Sequence, residues 1–213
     1  MEIAKFEFSL FGINSYVVSD PATRKCAFID PGMSNATEVE AMERYVERKD
    51  LKPEYVIATH LHVDHVAGIR TLQEKYGIPL LAHEADAFLG ERAADQARMF
   101  GIPMKVDGVK ISKIINAGDE IEIGEGKLYV IHVPGHSPGS VALYDKKDGF
   151  VITGDALFRG SIGRTDLPGG DSATLLKSIR EGLFKLPEDT VVYPGHGPAT
   201  TIGVERHSNP FFA

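Results

Sequence analysis

Apolar residues follow two different spacings along this chain, and the two spacings alternate. Short runs rich in Ile, Val, Phe and Tyr predict β-strands at residues 3–10, 14–19, 25–30, 55–58 and 78–82. Between these runs, apolar residues recur every three or four positions, which predicts helices. The expected boundaries are Asn35 or Thr37 before the first helix, Gly77 after the second, and Gly101 and Pro103 after a third over residues 84–100. Strands that alternate with helices are typical of the α/β class.

The second half of the chain predicts a further set of strands. From residue 118 onward, glycines separate apolar runs at 121–123, 127–133, 140–144, 150–153 and 190–193. A helix capped by Asp171 or Ser172 precedes the last run, since Leu175 and Ile179 recur at helical spacing. No unit of twenty to fifty residues repeats along the chain, which excludes solenoids and propellers.

Four of the apolar runs end directly before a side chain that can bind a metal ion. Residues 56–59 precede His60, 130–135 precede His136, 151–154 precede Asp155, and 191–195 precede His196. In open α/β sheets, ligands bind beyond the carboxyl ends of the strands. We therefore expect these four positions to converge on one site.

The segment Thr-His-Leu-His-Val-Asp-His at residues 59–65 places four potential ligands within six residues. In an extended loop His60 and His62 point to the same side, whereas Asp64 and His65 diverge, especially if the chain turns into a helix there. Imidazole and carboxylate are ligands that zinc and similar divalent ions prefer. The spacing predicts a two-metal site rather than a polar loop whose histidines bond only to backbone and water.

All seven potential ligands can be divided between two ions, with His60, His62 and His136 on the first, Asp64, His65 and His196 on the second, and Asp155 bridging both. Zinc is the expected ion, with iron and manganese as alternatives, because all three accept histidine and carboxylate. A water shared by two such ions, roughly 3.5–4 Å apart, loses a proton near neutral pH. The resulting hydroxide would attack an acyl carbon, and Asp64 is expected to orient it as a catalytic residue as well as to bind metal.

Composition and charge limit the kind of partner. Of the 213 residues, 43% are hydrophobic and 25% are charged, as in an ordinary soluble protein, so we expect one domain over residues 1–213. The net charge of −7, without an obvious basic run, favours a small-molecule substrate over nucleic acid. Neither a signal peptide nor a membrane-spanning stretch is evident, so a cytoplasmic location is expected. Cys26 lies in an apolar run, where a small buried side chain is expected rather than a nucleophile.

Four segments resemble the ordered motifs of the metallo-β-lactamase superfamily. They are Thr-His-Leu-His-Val-Asp-His at 59–65, Pro-Gly-His-Ser-Pro-Gly-Ser at 134–140, Gly-Asp-Ala-Leu-Phe at 154–158 and Pro-Gly-His-Gly at 194–197. The resemblance implies a four-layer αββα sandwich of two mixed β-sheets, with helices on the outer faces and metals at one edge between the sheets. It also implies the ligand assignment given above.

Within that superfamily, residues 157–171 make the chain similar to the glyoxalase II group, the hydroxyacylglutathione hydrolases. This resemblance implies hydrolysis of a small acyl thioester and a substrate contact at Arg164, for which a solvated loop arginine is the alternative. Asp30 resembles a position that supports the metal loop, although an aspartate that caps a turn is nearly as well supported. The chain ends at Ala213, so we expect no C-terminal helical domain of the kind that binds glutathione in full-length glyoxalase II.

Individual residues distinguish other functions that share parts of these motifs. Residues 163–166 also resemble persulfide dioxygenases, which would bind one iron through His60, His136 and Asp155. Asp155 stands where many true β-lactamases have cysteine, which disfavours antibiotic hydrolysis. A purely structural zinc site commonly contains cysteine among four ligands, unlike the seven nitrogen and oxygen ligands here. Outside the motifs, Tyr16 is expected in the core and His83 in a structural role.

Overall fold

The structure is a computed structural model that describes residues 1–102 and 106–212. Pro103, expected at the end of a helix, and Ala213, the end of the expected domain, lie outside the described residues. The described residues form two six-stranded sheets, a two-stranded hairpin and seven α-helices, together with short 3-10 helices at Glu84–Asp86 and Leu183–Lys185. In this part of the chain, no helix is both long and apolar enough to cross a membrane.

The first sheet contains, in spatial order, β1 (Glu2–Phe8), β2 (Ile13–Ser19), β3 (Lys25–Ile29), β4 (Lys52–Ile57), β5 (Leu80–Ala82) and β6 (Lys113–Ile114). The first three strands pair antiparallel, and β3 through β6 pair parallel. Helices connect the parallel strands: α1 (Ala36–Arg48), α2 (Val63–Val66), α3 (Ile69–Tyr76), α4 (Ala87–Glu91) and α5 (Ala93–Met99). Asn35 caps α1 by accepting a bond from the Glu38 N–H, and Gly77 ends α3 with a φ of 67°.

The second sheet contains β7 (Glu120–Ile123), β8 (Gly126–His132), β9 (Val141–Asp145), β10 (Phe150–Gly154), β13 (Val191–Pro194) and β14 (Thr200–Thr201). Strands β11 (Leu157–Phe158) and β12 (Ser161–Ile162) form the separate hairpin. Its spatial order is β14-β13-β10-β9-β8-β7. Since β9 runs antiparallel to both β8 and β10, and β13 runs parallel to β10, the strands β8, β10 and β13 all end at the same edge. The remaining helices are α6 (Ser172–Glu181) and α7 (Ile202–Ser208).

Alternating side chains divide the core into three apolar layers. Val18, Ile29 and Ile57 of the first sheet pack between the sheets against residues of the second sheet such as Val130 and Ile152. Their neighbours in sequence face outward: those of the first sheet pack under α1 and α3, and those of the second sheet pack under α6 and α7. The layers are therefore helix, sheet, sheet and helix, which confirms the predicted αββα sandwich of two mixed sheets.

The prediction of a single helix over residues 84–100 is wrong. The segment consists of a 3-10 turn followed by α4 and α5, which are separated at Arg92. The Gln96 side chain donates to Leu89 O at 2.7 Å, and the Val109 N–H donates to Gly90 O at 3.0 Å. These two carbonyls are bonded to groups outside α4, so the helical ladder does not continue across the break.

Candidate metal centre

The seven predicted ligands lie together at one edge of the sandwich, between the sheets. β4 leads into the 59–65 loop from the first sheet, while β8, β10 and β13 lead to His136, Asp155 and His196 from the second. Backbone bonds join the two sheets at this edge, because the Val141 N–H donates to Thr59 O at 2.8 Å and the Asn14 N–H of β2 donates to Gly195 O at 2.7 Å. The convergence of strand ends expected from the sequence is present.

His60, His62 and His136 form the first group. His136 Nε2 lies 3.2 Å from His60 Nε2 and 2.9 Å from His62 Nδ1. A tetrahedral zinc ion with Zn–N bonds of 2.0–2.1 Å separates its ligand nitrogens by about 3.3 Å. Both distances from His136 Nε2 are therefore close to what a single ion requires, and the ligand atoms of all three histidines lie within 4.8 Å of one another.

Asp64, His65 and His196 form the second group, and Asp155 lies between the two groups. Asp64 Oδ2 is 3.2 Å from His196 Nε2 and 3.8 Å from His65 Nε2. Asp155 Oδ1 is 3.3 Å from His65 Nε2, while its Oδ2 is 3.6 Å from His196 Nε2 and 3.7 Å from His136 Nε2. One carboxylate thus faces nitrogens of both groups, as a bridging ligand would.

Buried polar atoms at the centre lack hydrogen-bond partners, and a divalent ion would satisfy them. They include His65 Nε2 and Asp155 Oδ1, both shielded from solvent. A buried polar atom without a partner costs roughly 1–3 kcal/mol, so proteins rarely leave several together. The donor set, with five imidazoles and two carboxylates, suits zinc, iron or manganese. The residues present fit the two-metal prediction, and their role as ligands stays a prediction.

The net pKa shifts have opposite signs at two histidines of the first group and two of the second. Burial, reinforced by the surrounding histidines, holds the pKa of His60 well below its usual value, and burial next to His136 lowers the pKa of His62 to about 3. Burial also disfavours a charged His65, but Asp155, Asp64 and Asp30 outweigh it and raise the pKa of His65 well above normal. The same balance raises the pKa of His196. The lowered pKa values keep His60 and His62 uncharged, with free lone pairs, whereas His65 and His196 favour the charged form.

Asp30 lies beneath the 59–65 loop. Its Oδ1 accepts the Thr59 N–H at 2.7 Å, its Oδ2 accepts the Thr59 hydroxyl at 2.6 Å, and the same Oδ2 lies 3.0 Å from His65 Nδ1, outside hydrogen-bond geometry. Asp30 holds a φ of 48°, a conformation that aspartate tolerates better than most residues. The carboxylate therefore contacts the loop whose support the resemblance assigns to it.

Asn14, which the sequence did not single out, and Tyr16, which lies in the core as expected, both hold the loop that carries His196. Asn14 Nδ2 donates to Pro194 O at 3.0 Å and to Gly197 O at 2.7 Å. The buried Tyr16 hydroxyl donates to Pro194 O at 2.7 Å, in addition to packing in the core as expected. The one available signal was an asparagine in a run that predicts a strand, since a polar side chain that becomes buried there requires hydrogen-bond partners.

A cleft of about 320 Å³ opens onto the centre. Its walls include Phe11, Phe100, Leu167 and Arg164, besides ligand candidates from both groups. The Arg164 guanidinium makes two 2.7 Å bonds to Asp166, while its backbone oxygen accepts a hydrogen bond from His136 Nδ1 at 2.7 Å. A larger cavity of about 780 Å³ lies at the opposite edge of the sandwich, and its described lining contains none of the seven candidates. The smaller cleft is therefore the candidate substrate-binding site.

Comparison with known proteins identifies the family. The model of the metallo-β-lactamase superfamily matches residues 9–196. A probable metallo-hydrolase of Bacillus subtilis, YqgX, is 39% identical, covering 92% of this chain and 90% of its own length. Hydroxyacylglutathione hydrolase GloC of Haemophilus influenzae is 38% identical, with 88% and 87% coverage.

Solved structures share the fold over nearly the whole chain. The BLEG-1 B3 metallo-β-lactamase superposes with a TM-score of 0.90 at 34% identity, covering 100% of both chains. TTHA1623, solved in a di-iron-bound form, gives 0.87 at 36% identity, with 98% and 99% coverage. ETHE1 from Myxococcus xanthus gives 0.78 at 28% identity and covers 99% of this chain and 84% of its own.

Proposed function

Because the chain belongs to the metallo-β-lactamase superfamily, we propose that it is a metal-dependent hydrolase that cleaves a small acyl thioester. The observation that carries the proposal is the meeting of two potential metal-binding groups, joined by Asp155, at the base of one cleft. The identity to the hydroxyacylglutathione hydrolase GloC supports thioester chemistry over other hydrolyses. The ions are proposed to be two per chain, with zinc first among them.

The protein residues hold and orient the reacting groups. Two divalent ions, when bound, supply a water that ionises near neutral pH and an electrophile for the substrate carbonyl. His136 donates its Nδ1 proton to Arg164 O, which leaves the Nε2 lone pair facing His60 and His62. Asp64 presents Oδ2 toward His196 at the cleft, where it can also accept a hydrogen bond from the attacking water and orient it.

In the described part of the cleft, no side chain outside the proposed ligands can protonate a leaving group, which supports a thioester substrate. Among the described residues of the cleft, the titratable groups outside the seven proposed ligands reduce to Arg164, whose guanidinium does not release its proton near neutral pH. A thiol has a pKa of about 8.5 and departs without protonation, whereas an alcohol or amine needs an acid. The site is therefore best suited to an acyl carbon with a sulfur leaving group.

The cleft walls are proposed to hold the rest of the substrate. Arg164 lines one side, and its ion pair with Asp166 is exposed to solvent and therefore weak, so a substrate carboxylate or amide can replace Asp166 at little cost. Phe11 and Phe100 meet edge to face at 6.2 Å on the apolar side. A thioester with one polar arm and one small apolar acyl group would match both walls.

The test is a substrate panel on metal-free protein reloaded with zinc, manganese or iron. S-lactoylglutathione is the first compound, beside lactoyl esters of other thiols, with release followed by a chromogenic disulfide. Asp155→Ala should abolish turnover and lower the affinity for both ions. His83→Ala should keep the affinity for both, because His83 stacks on His132, at 4.3 Å between ring centroids, outside the ligand set. Unchanged affinity of Asp155→Ala for both ions would show that Asp155 is not the bridge.

One alternative has its own support, namely oxidation of a persulfide at a single iron. His60, His136 and Asp155, the triad it requires, lie together, and the ETHE1 likeness keeps this chemistry in the panel. Oxygen uptake with a persulfide substrate is measured in parallel. Hydrolysis of a chromogenic β-lactam is measured as well, because the similar BLEG-1 is described as a B3 metallo-β-lactamase. Oxygen consumption by iron-loaded protein, without thioester cleavage by any metal form, would overturn the hydrolase proposal in favour of the alternative.

A further inference from the structure

Asp86 is a fully buried aspartate outside the seven ligand candidates, and its hydrogen bonds are unusual for its position. It stands directly before α4, where an aspartate ordinarily accepts a hydrogen bond from the first turn of its own helix. Here the carboxylate makes no such bond. Its acceptor capacity is directed to other parts of the chain.

The Asp86 carboxylate joins the two loops that carry the first ligand group. Its Oδ2 accepts the Leu61 N–H at 3.2 Å, between His60 and His62. The same oxygen accepts the Ser137 hydroxyl at 2.7 Å, and Oδ1 accepts the Gly139 N–H at 2.6 Å, in the turn that follows His136. One side chain thus bonds to segments 25 and 51 to 53 residues away in sequence.

The turn after His136 is also shaped to admit Asp86. A side chain at Gly139 would place its Cβ 2.7 Å from Asp86 Cγ, so only glycine allows this approach. A buried carboxylate costs several kcal/mol of desolvation unless it is well bonded, and burial does raise the pKa of Asp86. A residue retained at such a cost, and bonded to both loops, fixes their separation.

We propose that Asp86 is a positioning residue that sets the distance between His136 and the His60–His62 pair, and through it the affinity for the first ion. This inference rests on the proposed metal-dependent function. The second group should depend less on Asp86, since Asp64 and His65 lie in α2, beyond Leu61, and His196 lies on a separate loop after β13. Loss of the Asp86 carboxylate should therefore lower the affinity for the first ion more than for the second.

Asp86→Asn keeps the shape but removes one acceptor. If the amide oxygen faces Leu61 and Ser137, the amide nitrogen faces the Gly139 N–H, so two donors meet. In the reverse orientation, the amide nitrogen faces the Leu61 N–H, and two donors meet there instead. Either way one loop loses its bond and shifts. Loss of a group that orients metal ligands typically lowers metal affinity by about 10- to 100-fold. We expect that decrease for the ion at His60, His62 and His136, with the second ion within about threefold of the parent.

The matched control is Asp20→Asn. Asp20 is also buried, accepts a threonine hydroxyl at 2.6 Å and the Glu125 N–H at 2.9 Å, and lies at the opposite edge of the sandwich. The substitution likewise converts a hydrogen-bonded carboxylate into an amide, without touching the ligand loops. Asp20→Asn should therefore leave both metal affinities unchanged, even if the free energy of unfolding falls as much as in Asp86→Asn.

The measurement is titration of the metal-free proteins with zinc against a competing chelator, with the sites assigned by anomalous diffraction at limiting zinc. Ser137→Ala, which removes one of the bonds to Asp86, serves as a milder variant if Asp86→Asn does not fold, and should weaken the same ion by a smaller factor. Parent affinity for both ions, or an equal loss at both, overturns the proposal. If the affinity for the first ion alone falls and the parent protein cleaves no thioester, the positioning role of Asp86 is supported and only the proposed substrate is refuted.

Discussion

Replacing Gly195 with alanine would place a methyl group inside the candidate metal centre. The added Cβ would lie 2.2 Å from Asp155 Oδ1 and 2.7 Å from His65 Cε1, whereas ordinary contact begins at 3.4 Å. Either the carboxylate or the end of β13 must then move by about 1 Å. Overpacking of this kind costs about 1–3 kcal/mol, and a 1 Å misplacement of reacting groups lowers turnover by about 100-fold.

Gly197 provides the control within the same loop. Its φ is 75°, so alanine there also adds backbone strain of about 1–2 kcal/mol, but no atom lies within 4 Å of the added Cβ. Both variants should lose stability in urea denaturation. Only Gly195→Ala should lose affinity in a metal titration and activity against the best thioester. A Gly195→Ala protein with parent metal affinity and turnover would refute the close packing of Gly195 against Asp155.

Three further predictions concern separate parts of the site. Asp30→Ala leaves the Thr59 N–H and hydroxyl without their acceptor and puts alanine at a φ of 48°, so we expect a loss of about 2–5 kcal/mol in the free energy of unfolding. An unchanged urea midpoint would show that Asp30 does not support the loop. Arg164→Ala should raise KM for a charged or amide-rich thioester more than it lowers kcat, because a remote contact mainly provides uniform binding. Equal falls in kcat and kcat/KM, measured at steady state, would instead make Arg164 part of transition-state stabilisation. Since His65 and His196 have raised pKa values and must lose a proton before they bind metal, affinity at the second group should fall more steeply from pH 8 to pH 6 than at the first. Calorimetry in buffers of different ionisation enthalpy should assign the released protons to that group, and equal release at both ions would contradict the assignment.

The sequence predicted the strands that lead to the site because their apolar runs are continuous and each is followed by a ligand type. Within the second sheet, the ends of β8, β10 and β13 needed only the rule that strands of one direction end at one edge, whereas the end of β4 joins them through the packing of the two sheets. Helix α7 was missed because Glu205 is buried on its inner face, where an apolar residue would complete the helical pattern. Its Oε2 accepts the Gly160 N–H at 2.8 Å, a partner 45 residues away that sequence spacing does not reveal.

The residues that hold the loops were beyond prediction for a related reason. Asn14 and Asp86 bond to backbone groups of segments far away in sequence, so neither has a local motif. Asp86 even occupies a helix-cap position, which suggests a local role that the structure does not give it. Residue types predict what can bind an ion, whereas the supporting contacts depend on the three-dimensional packing of the loops.

Metal content tests the central claim most directly. Elemental analysis of natively purified protein, with anomalous diffraction from its crystals, counts and locates the ions. We predict two ions per chain roughly 3.5–4 Å apart, the first bound by His60, His62 and His136, the second by Asp64, His65 and His196, and Asp155 between them. A fully loaded and active protein with one ion at His60, His136 and Asp155, and none near His65 and His196, would contradict the account.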